Sequence, residues 1–231
     1  MFARTFVRVK PQRYTEAVSF ESSRLRKIKS KLMDKKTQTI NTYNENANAL
    51  AFKFDKLGAR TGDIKETFSL VGNKNPKVLE IGCGNGRDAE EIIRYANNYV
   101  GIDISEKLIQ LAHQKIPRVK FEVADIETYN IPKNLDVVFA FASLIHVPKE
   151  SLEAIFEKLF ESLNSGGIIR ISLKQSDTYK EVTNEDEFGV RTYYHYSLED
   201  IDSVAKGFIY LKKDLHNFKD QSWLEIILKK Q

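Results

Sequence analysis

The chain has 231 residues and a formal net charge of +4, with 42% hydrophobic and 29% charged residues. That length and balance predict one globular domain with appendages and argue against a fibrous or disordered chain. No run of about 20 apolar residues occurs, so no membrane-crossing helix is expected, and a lone cysteine, Cys83, excludes an internal disulfide or a cysteine-rich zinc site.

The charge is unevenly spread. Residues 1–36 hold eleven Lys/Arg against Glu16, Glu21 and Asp34, a net of +8, while residues 37–231 carry a net of −4. Within this arm Leu25, Ile28 and Leu32 space like one face of a short basic helix. Its functional reading is a contact with nucleic acid or another anionic surface. Its bland reading is a disordered extension, and Met33 offers an alternative start. The expected division is therefore a basic arm over 1–36 and a folded domain over 37–231.

From Thr37 to Leu57, Ile40, Tyr43, Ala47, Leu50 and Phe54 recur at helical spacing, and Gly58 ends the run. Thr61 caps a second expected helix with Ile64, Phe68 and Val71 inward. Val78 to Ile81 then reads as a buried strand, followed by Gly82, Gly84 and Gly86 and by a helical pattern from Arg87. Strand, glycine turn and helix bring backbone close to a ligand. The spacing is not that of a dinucleotide loop, whose third glycine would fall at Arg87, nor that of a P-loop.

Tyr99 to Asp103 is a second strand ending in an acid, 17 residues past Gly86. Ser105 caps the next helix, and Val119 to Val123 is a third strand followed by Asp125 and Ile126. Leu135 to Ala140 has the apolar run of a strand buried on both faces. After Phe141, Ala142, Ser143 and His146, Pro148 opens a helix with Leu152, Ile155, Phe156, Leu159 and Leu163 inward. Ile168 to Leu173 is strand five. Gln175 to Val190 is polar and acidic and reads as a loop or lid. Arg191-Thr192-Tyr193-Tyr194-His195-Tyr196 reads as a pocket wall or a strand edge, and Phe208–Leu215 with Trp223–Leu228 as a closing hairpin.

The set Glu80-x-Gly82-x-Gly84-x-Gly86, Asp103 and Asp125, on three successive strand ends, resembles the class I S-adenosylmethionine-dependent methyltransferases. In an open parallel sheet such ends share one crevice. The resemblance covers roughly residues 37–230. It implies a Rossmann-like α/β sandwich with a seven-stranded sheet of order 3-2-1-4-5-7-6, strand 7 antiparallel.

It also implies transfer of a methyl group from S-adenosylmethionine, leaving S-adenosylhomocysteine, by a cytoplasmic monomer or homodimer. In that resemblance Glu80, Gly82, Cys83, Gly84, Gly86 and Asp88 form the cofactor loop. Tyr43 and Arg60 lie at the methionine end, Asp103 at the ribose, Asp125 and Ile126 at the adenine, and Ile104 and Ala140 are further cofactor contacts.

No Asn/Asp-Pro-Pro-Tyr/Phe segment follows strand four, and Cys83 is not in a Pro-Cys pair, so a small-molecule acceptor is favoured over nucleic acid. His146 is the candidate base. Ser143, Arg191, Tyr194 and His195 are candidate substrate contacts, with Arg170 and Lys174 as further cations. No resident metal is expected. A protein that binds the cofactor without catalysis is the remaining alternative.

Overall fold

The computed structural model describes residues 34–218 and 220–231. The basic arm expected over 1–36 thus lies outside the described residues except for Asp34, Lys35 and Lys36. These three start the first helix, α1 (Lys35–Glu45), where the Asp34 carboxylate accepts the Thr37 N–H as an N-cap.

The single helix expected over Thr37–Leu57 is two, α1 and α2 (Ala47–Leu57), divided at Asn46. Asn46 leaves helical geometry at φ −115°, and its amide donates to the carbonyls of Thr42 and Phe188. A side chain that bonds backbone competes with the helix ladder, which is why the break falls at an asparagine. α3 (Thr61–Ser69) follows, with Ile64 buried as expected.

The sheet is built from β1 (Lys77–Ile81), β2 (Asn98–Asp103), β3 (Lys120–Val123), β4 (Leu135–Phe141) and β5 (Leu163–Gln175), parallel in the order 3-2-1-4-5. β9 (Gln221–Lys230) lies antiparallel against β5, and β8 (Phe208–Phe218) against β9. These seven strands have the expected order, with the last in chain order antiparallel to its neighbours.

The sheet nevertheless has nine strands, not seven. Residues 180–196, read largely as a loop, form a hairpin of β6 (Lys180–Asp186) and β7 (Gly189–Tyr196). β6 pairs with β7 alone and is exposed along most of its length, so it lacks the apolar alternation that marks a half-buried strand. β7 joins β5 at Lys174 and Gln175, beyond the last β4 pair at Ser172, so the hairpin extends the sheet past the carboxyl end of β4.

Period-two alternation splits the core. Val78, Val137 and Phe139 face one layer, with α3, α4 (Ala89–Ile92) and α5 (Glu106–Lys115). Leu79, Val138, Ile169 and Ile171 face the other, with α6 (Lys149–Ser162) and α7 (Leu198–Val204). In α6, Leu152, Ile155, Phe156 and Leu159 are at most 1% exposed, each burial worth about 1.5–3 kcal/mol. No described helix is long and apolar enough to cross a membrane.

α1 roofs the carboxyl ends of the strands. Thr39 Oγ1 accepts the Thr192 N–H at 3.0 Å, Thr42 Oγ1 donates to Val190 O at 2.6 Å, and Asn44 Oδ1 accepts from Ser105 Oγ at 2.8 Å. The roof is therefore tied to β7 on one side and to the start of α5 on the other.

Candidate functional site

Under this roof runs a cavity of about 1160 Å³. A single small ligand usually fills ~300–1,000 Å³, so the space accommodates more than one molecule. Its floor is the turn after β1. Gly82, Gly84 and Gly86 all have φ between +56° and +74°, a region that side chains resist. A Cβ on Gly82 would lie 2.2 Å from the Ser143 Cβ, whereas one on Gly84 would meet nothing within 4 Å. Gly82 thus lets the loop after β4 approach, and Gly84 leaves bare backbone facing the cavity.

At the end of β2, Asp103 accepts the Gly84 N–H through Oδ2 at 2.9 Å and the Ser105 N–H through Oδ1 at 2.8 Å. Burial raises the carboxyl's pKa, and the backbone N–H groups of Ser105, Gly84 and Ile104 oppose that rise. Beyond β3, Asp125 and the buried Ile126 line the cavity, and the Lys36 ammonium reaches across from α1 to Asp125 Oδ2 and Glu127 Oε1, both at 2.5 Å.

Asp88 is 3% exposed and accepts the Arg60 N–H at 2.8 Å. Its carboxylate pairs with the guanidinium groups of Arg60, at 3.5 Å, and Arg87. Arg60 in turn lies 4.8 Å from the centre of the Phe141 ring, and both line the cavity.

At the other end stands His146, in a short 3-10 turn at Leu144–His146. Its Nδ1 lies 2.6 Å from the Thr192 carbonyl, and its Nε2 lies 2.9 Å from the Tyr43 hydroxyl. A carbonyl only accepts, so Nδ1 carries the proton, Nε2 is the free base, and Tyr43 donates to it. Burial holds the imidazole down to about pKa 4, with Arg191 and Lys174 adding to the effect and the Thr192 bond opposing it. Burial raises the Tyr43 phenol, while Arg191, 5.6 Å from its ring centre, pulls the other way.

Residues 78–167 match the family described as a methyltransferase domain. Over 146 residues the chain is 33% identical to a malonyl-[acyl-carrier protein] O-methyltransferase of Ilyobacter polytropus, covering 61% of this chain and 52% of that one. Residues 78–167 thus carry the likeness to a methyltransferase domain. The chain is also 25% identical over 194 residues to a phosphoethanolamine N-methyltransferase of Plasmodium falciparum, covering 77% and 72% of the two chains. The fold matches that of a Synechocystis magnesium protoporphyrin IX methyltransferase with bound S-adenosylmethionine, at TM-score 0.66 and 17% identity over 86% of this chain and 98% of that one. The chain spans about half the length of the first curated relatives it matches.

Most of the expected cofactor residues converge. Tyr43, Arg60, Gly82, Cys83, Gly84 and Asp88 line the one cavity, as do Asp103, Ile104, Asp125 and Ile126. The bare Gly84 backbone and the Asp103 carboxylate present polar groups to the same cavity.

Three expected residues lie elsewhere. Glu80 is 2% exposed beneath the loop, where it accepts the Tyr99 hydroxyl at 2.5 Å and burial raises its pKa. Gly86 packs on Phe121 and Ala112. Ala140 points into the core on the α6 side. Cys83 is a buried, protonated filler, its thiol pushed well up by burial.

Of the expected substrate contacts, Ser143 and Arg191 line the cavity. Tyr194 faces away and stacks on Tyr179 at 5.9 Å, and His195 is outside the lining. The sequence reading named Tyr193 only within the Arg191–Tyr196 run and missed Trp223 and Glu225, and all three are in the lining. Tyr193 was findable, because it shares the strand face of Arg191 two residues away. Trp223 and Glu225 come in by the antiparallel β9 from the far end of the chain, with no local signal.

Proposed function

We propose that this chain transfers a methyl group from S-adenosylmethionine to a small-molecule acceptor. The observation that carries the reading is the meeting, in one cavity, of the Gly84–Asp103 cradle and the Tyr43–His146 pair. Bound in the cradle, S-adenosylmethionine supplies an electrophilic methyl on a sulfonium. The chain's part is then alignment and proton removal.

In this reading the Asp103 carboxylate takes the ribose hydroxyls in charge-assisted bonds. Ile104 and Ile126 pack on the adenine, Asp125 takes its amino group, and Arg60 faces the methionine carboxylate. Lys36, now on Asp125, exchanges that contact as the adenine arrives. At the far end, Tyr43 passes its hydroxyl proton to His146 Nε2 as it accepts one from the acceptor's hydroxyl or amine. Thr192 O holds the ring in the tautomer that permits this.

Phosphoethanolamine and trans-aconitate methyltransferases among its relatives support a small acceptor, and a malonyl-[acyl-carrier protein] methyltransferase is a relative whose small acyl group is carried on a protein. A cytoplasmic enzyme is the corresponding proposal for its place in the cell. The test is turnover of methyl-labelled S-adenosylmethionine against panels of small hydroxy acids, amines and phosphate esters, with RNA and a protein extract beside them. Label in a small-molecule fraction supports the reading. Label only in RNA or protein, with activity lost on deleting residues 1–32 and falling steeply with salt, would replace it.

A further inference from the structure

Past the Tyr43–His146 pair the cavity continues along β5 and β9, on the face that carries Arg170, Ser172 and Lys174. Most cations on this wall are already neutralised. Arg170 pairs with Asp63 and Glu66, Lys212 with Glu66 and Asp214, and Lys213 with Asp202. Lys174 is the exception: among the described residues no carboxylate lies within ion-pair distance of it. Its ammonium stands 4.0 Å from the centre of the Tyr193 ring.

Arg191 lies 5.6 Å from the same ring and His146 4.9 Å. Arg191 has one carboxylate partner, Asp186, and its Nε has no acceptor. The buried Nε1 of Trp223 also lacks an acceptor, and Trp223 is the β9 register partner of Lys174 on the same face. On the same face Glu225 lies 3.9 Å from Arg170 Nε, its Oε2 makes no hydrogen bond, and burial raises its pKa to about 7.

Two cations thus flank one aromatic ring beside the base, with a single carboxylate between them and spare N–H donors close by. An unpaired, partly buried ammonium is costly, and burial together with the charge of Arg191 already pushes the pKa of Lys174 down. A bound anion removes both penalties.

We propose that Lys174 and Arg191 hold an anionic group of the methyl acceptor, a carboxylate or a phosphate monoester, against Tyr193, with its nucleophile at Tyr43–His146. This rests on the methyltransferase reading and adds the acceptor's chemical class. A cationic acceptor lacking an acid group meets repulsion at the same place.

The test is calorimetric titration of the full chain saturated with S-adenosylhomocysteine, so that the cofactor's own carboxylate position is filled. The probes are malonate, inorganic phosphate and ethanolamine. Malonate or phosphate binds, the tighter of the two naming the anion, and ethanolamine does not. Lys174→Met weakens anion binding about 10–100-fold, as loss of a charge-assisted bond does, and leaves S-adenosylhomocysteine affinity within a few-fold. Lys174→Arg, which restores the charge, keeps most of the anion affinity.

Retained S-adenosylhomocysteine binding certifies the fold of each variant. The proposal is overturned if anions bind Lys174→Met as they bind the parent, if ethanolamine binds as well as malonate and phosphate do, or if the saturated protein takes no anion. Absence of S-adenosylhomocysteine binding in the parent overturns the cofactor reading along with it.

Discussion

The Tyr43 hydroxyl lies 2.9 Å from His146 Nε2, across 103 residues of sequence, and the Thr192 carbonyl holds the opposite ring nitrogen at 2.6 Å. One residue comes from the roof helix, one from the turn after β4 and one from the hairpin over that turn. If the pair works as a proton relay, His146→Ala and Tyr43→Phe each lower kcat by roughly 10²–10⁴-fold. The double variant is then hardly worse than either alone, because the two act as a unit. His146→Ala still binds S-adenosylhomocysteine within a few-fold. Steady-state kinetics with calorimetry checks this, and turnover unchanged in His146→Ala removes the proposed base.

The same buried histidine sets a pH dependence. Its folded pKa is about 4, as is that of His195, against ~6.5 in an unfolded chain. As pH falls, the unfolded state binds these protons first, so their stability contribution is intact above ~6.5 and erodes from there towards about 4. His146→Gln keeps a donor for Thr192 O and an acceptor for Tyr43 but cannot titrate. It should recover about 1–2 kcal/mol of the loss between pH 7 and 4.5, the partial exposure of the ring trimming the full effect. Thermal unfolding at both pH values is the check, and parallel losses in both proteins contradict it. For the same reason the rate should show no acid limb near pH 6.5.

Arg170 was a candidate substrate cation and sits 1% exposed under α3, held by Asp63 and Glu66 at 2.6 Å each. Its role here is to tie that helix to β5. Arg170→Ala should cost about 2–4 kcal/mol, towards the low end because both acids reach water, and Arg170→Met less. Urea denaturation measures this. A variant of undiminished stability would return Arg170 to the list of substrate contacts.

What was legible in the sequence was what neighbouring residues encode. Glycines at 82 and 84 and acids at 103 and 125 sit at strand ends, and strand ends of a parallel sheet lie together whatever the rest of the chain does. Glu80 shows the limit. The motif announces the carboxylate, but strand alternation puts it under the loop against Tyr99.

The β6–β7 hairpin left no apolar alternation because β6 is paired on one side and exposed on the other. The run Tyr193-Tyr194-His195-Tyr196 supplied aromatics without a phase, so the sequence pointed to Tyr194 while Tyr193 lines the cavity. Trp223 and Lys174 meet only through the register of β9 on β5.

The most direct test of the central claim is thermal unfolding of the full chain alone, with S-adenosylhomocysteine and with NAD, repeated for Asp103→Ala checked as folded by circular dichroism. A ligand at ~100 times its Kd adds about 2.7 kcal/mol, roughly 5–10 °C for a chain of this size. That rise is expected with S-adenosylhomocysteine, none with NAD, and its loss in Asp103→Ala. A rise with NAD instead, or none with either, would contradict the assignment of the Gly82–Gly84 turn and Asp103 as the cofactor cradle.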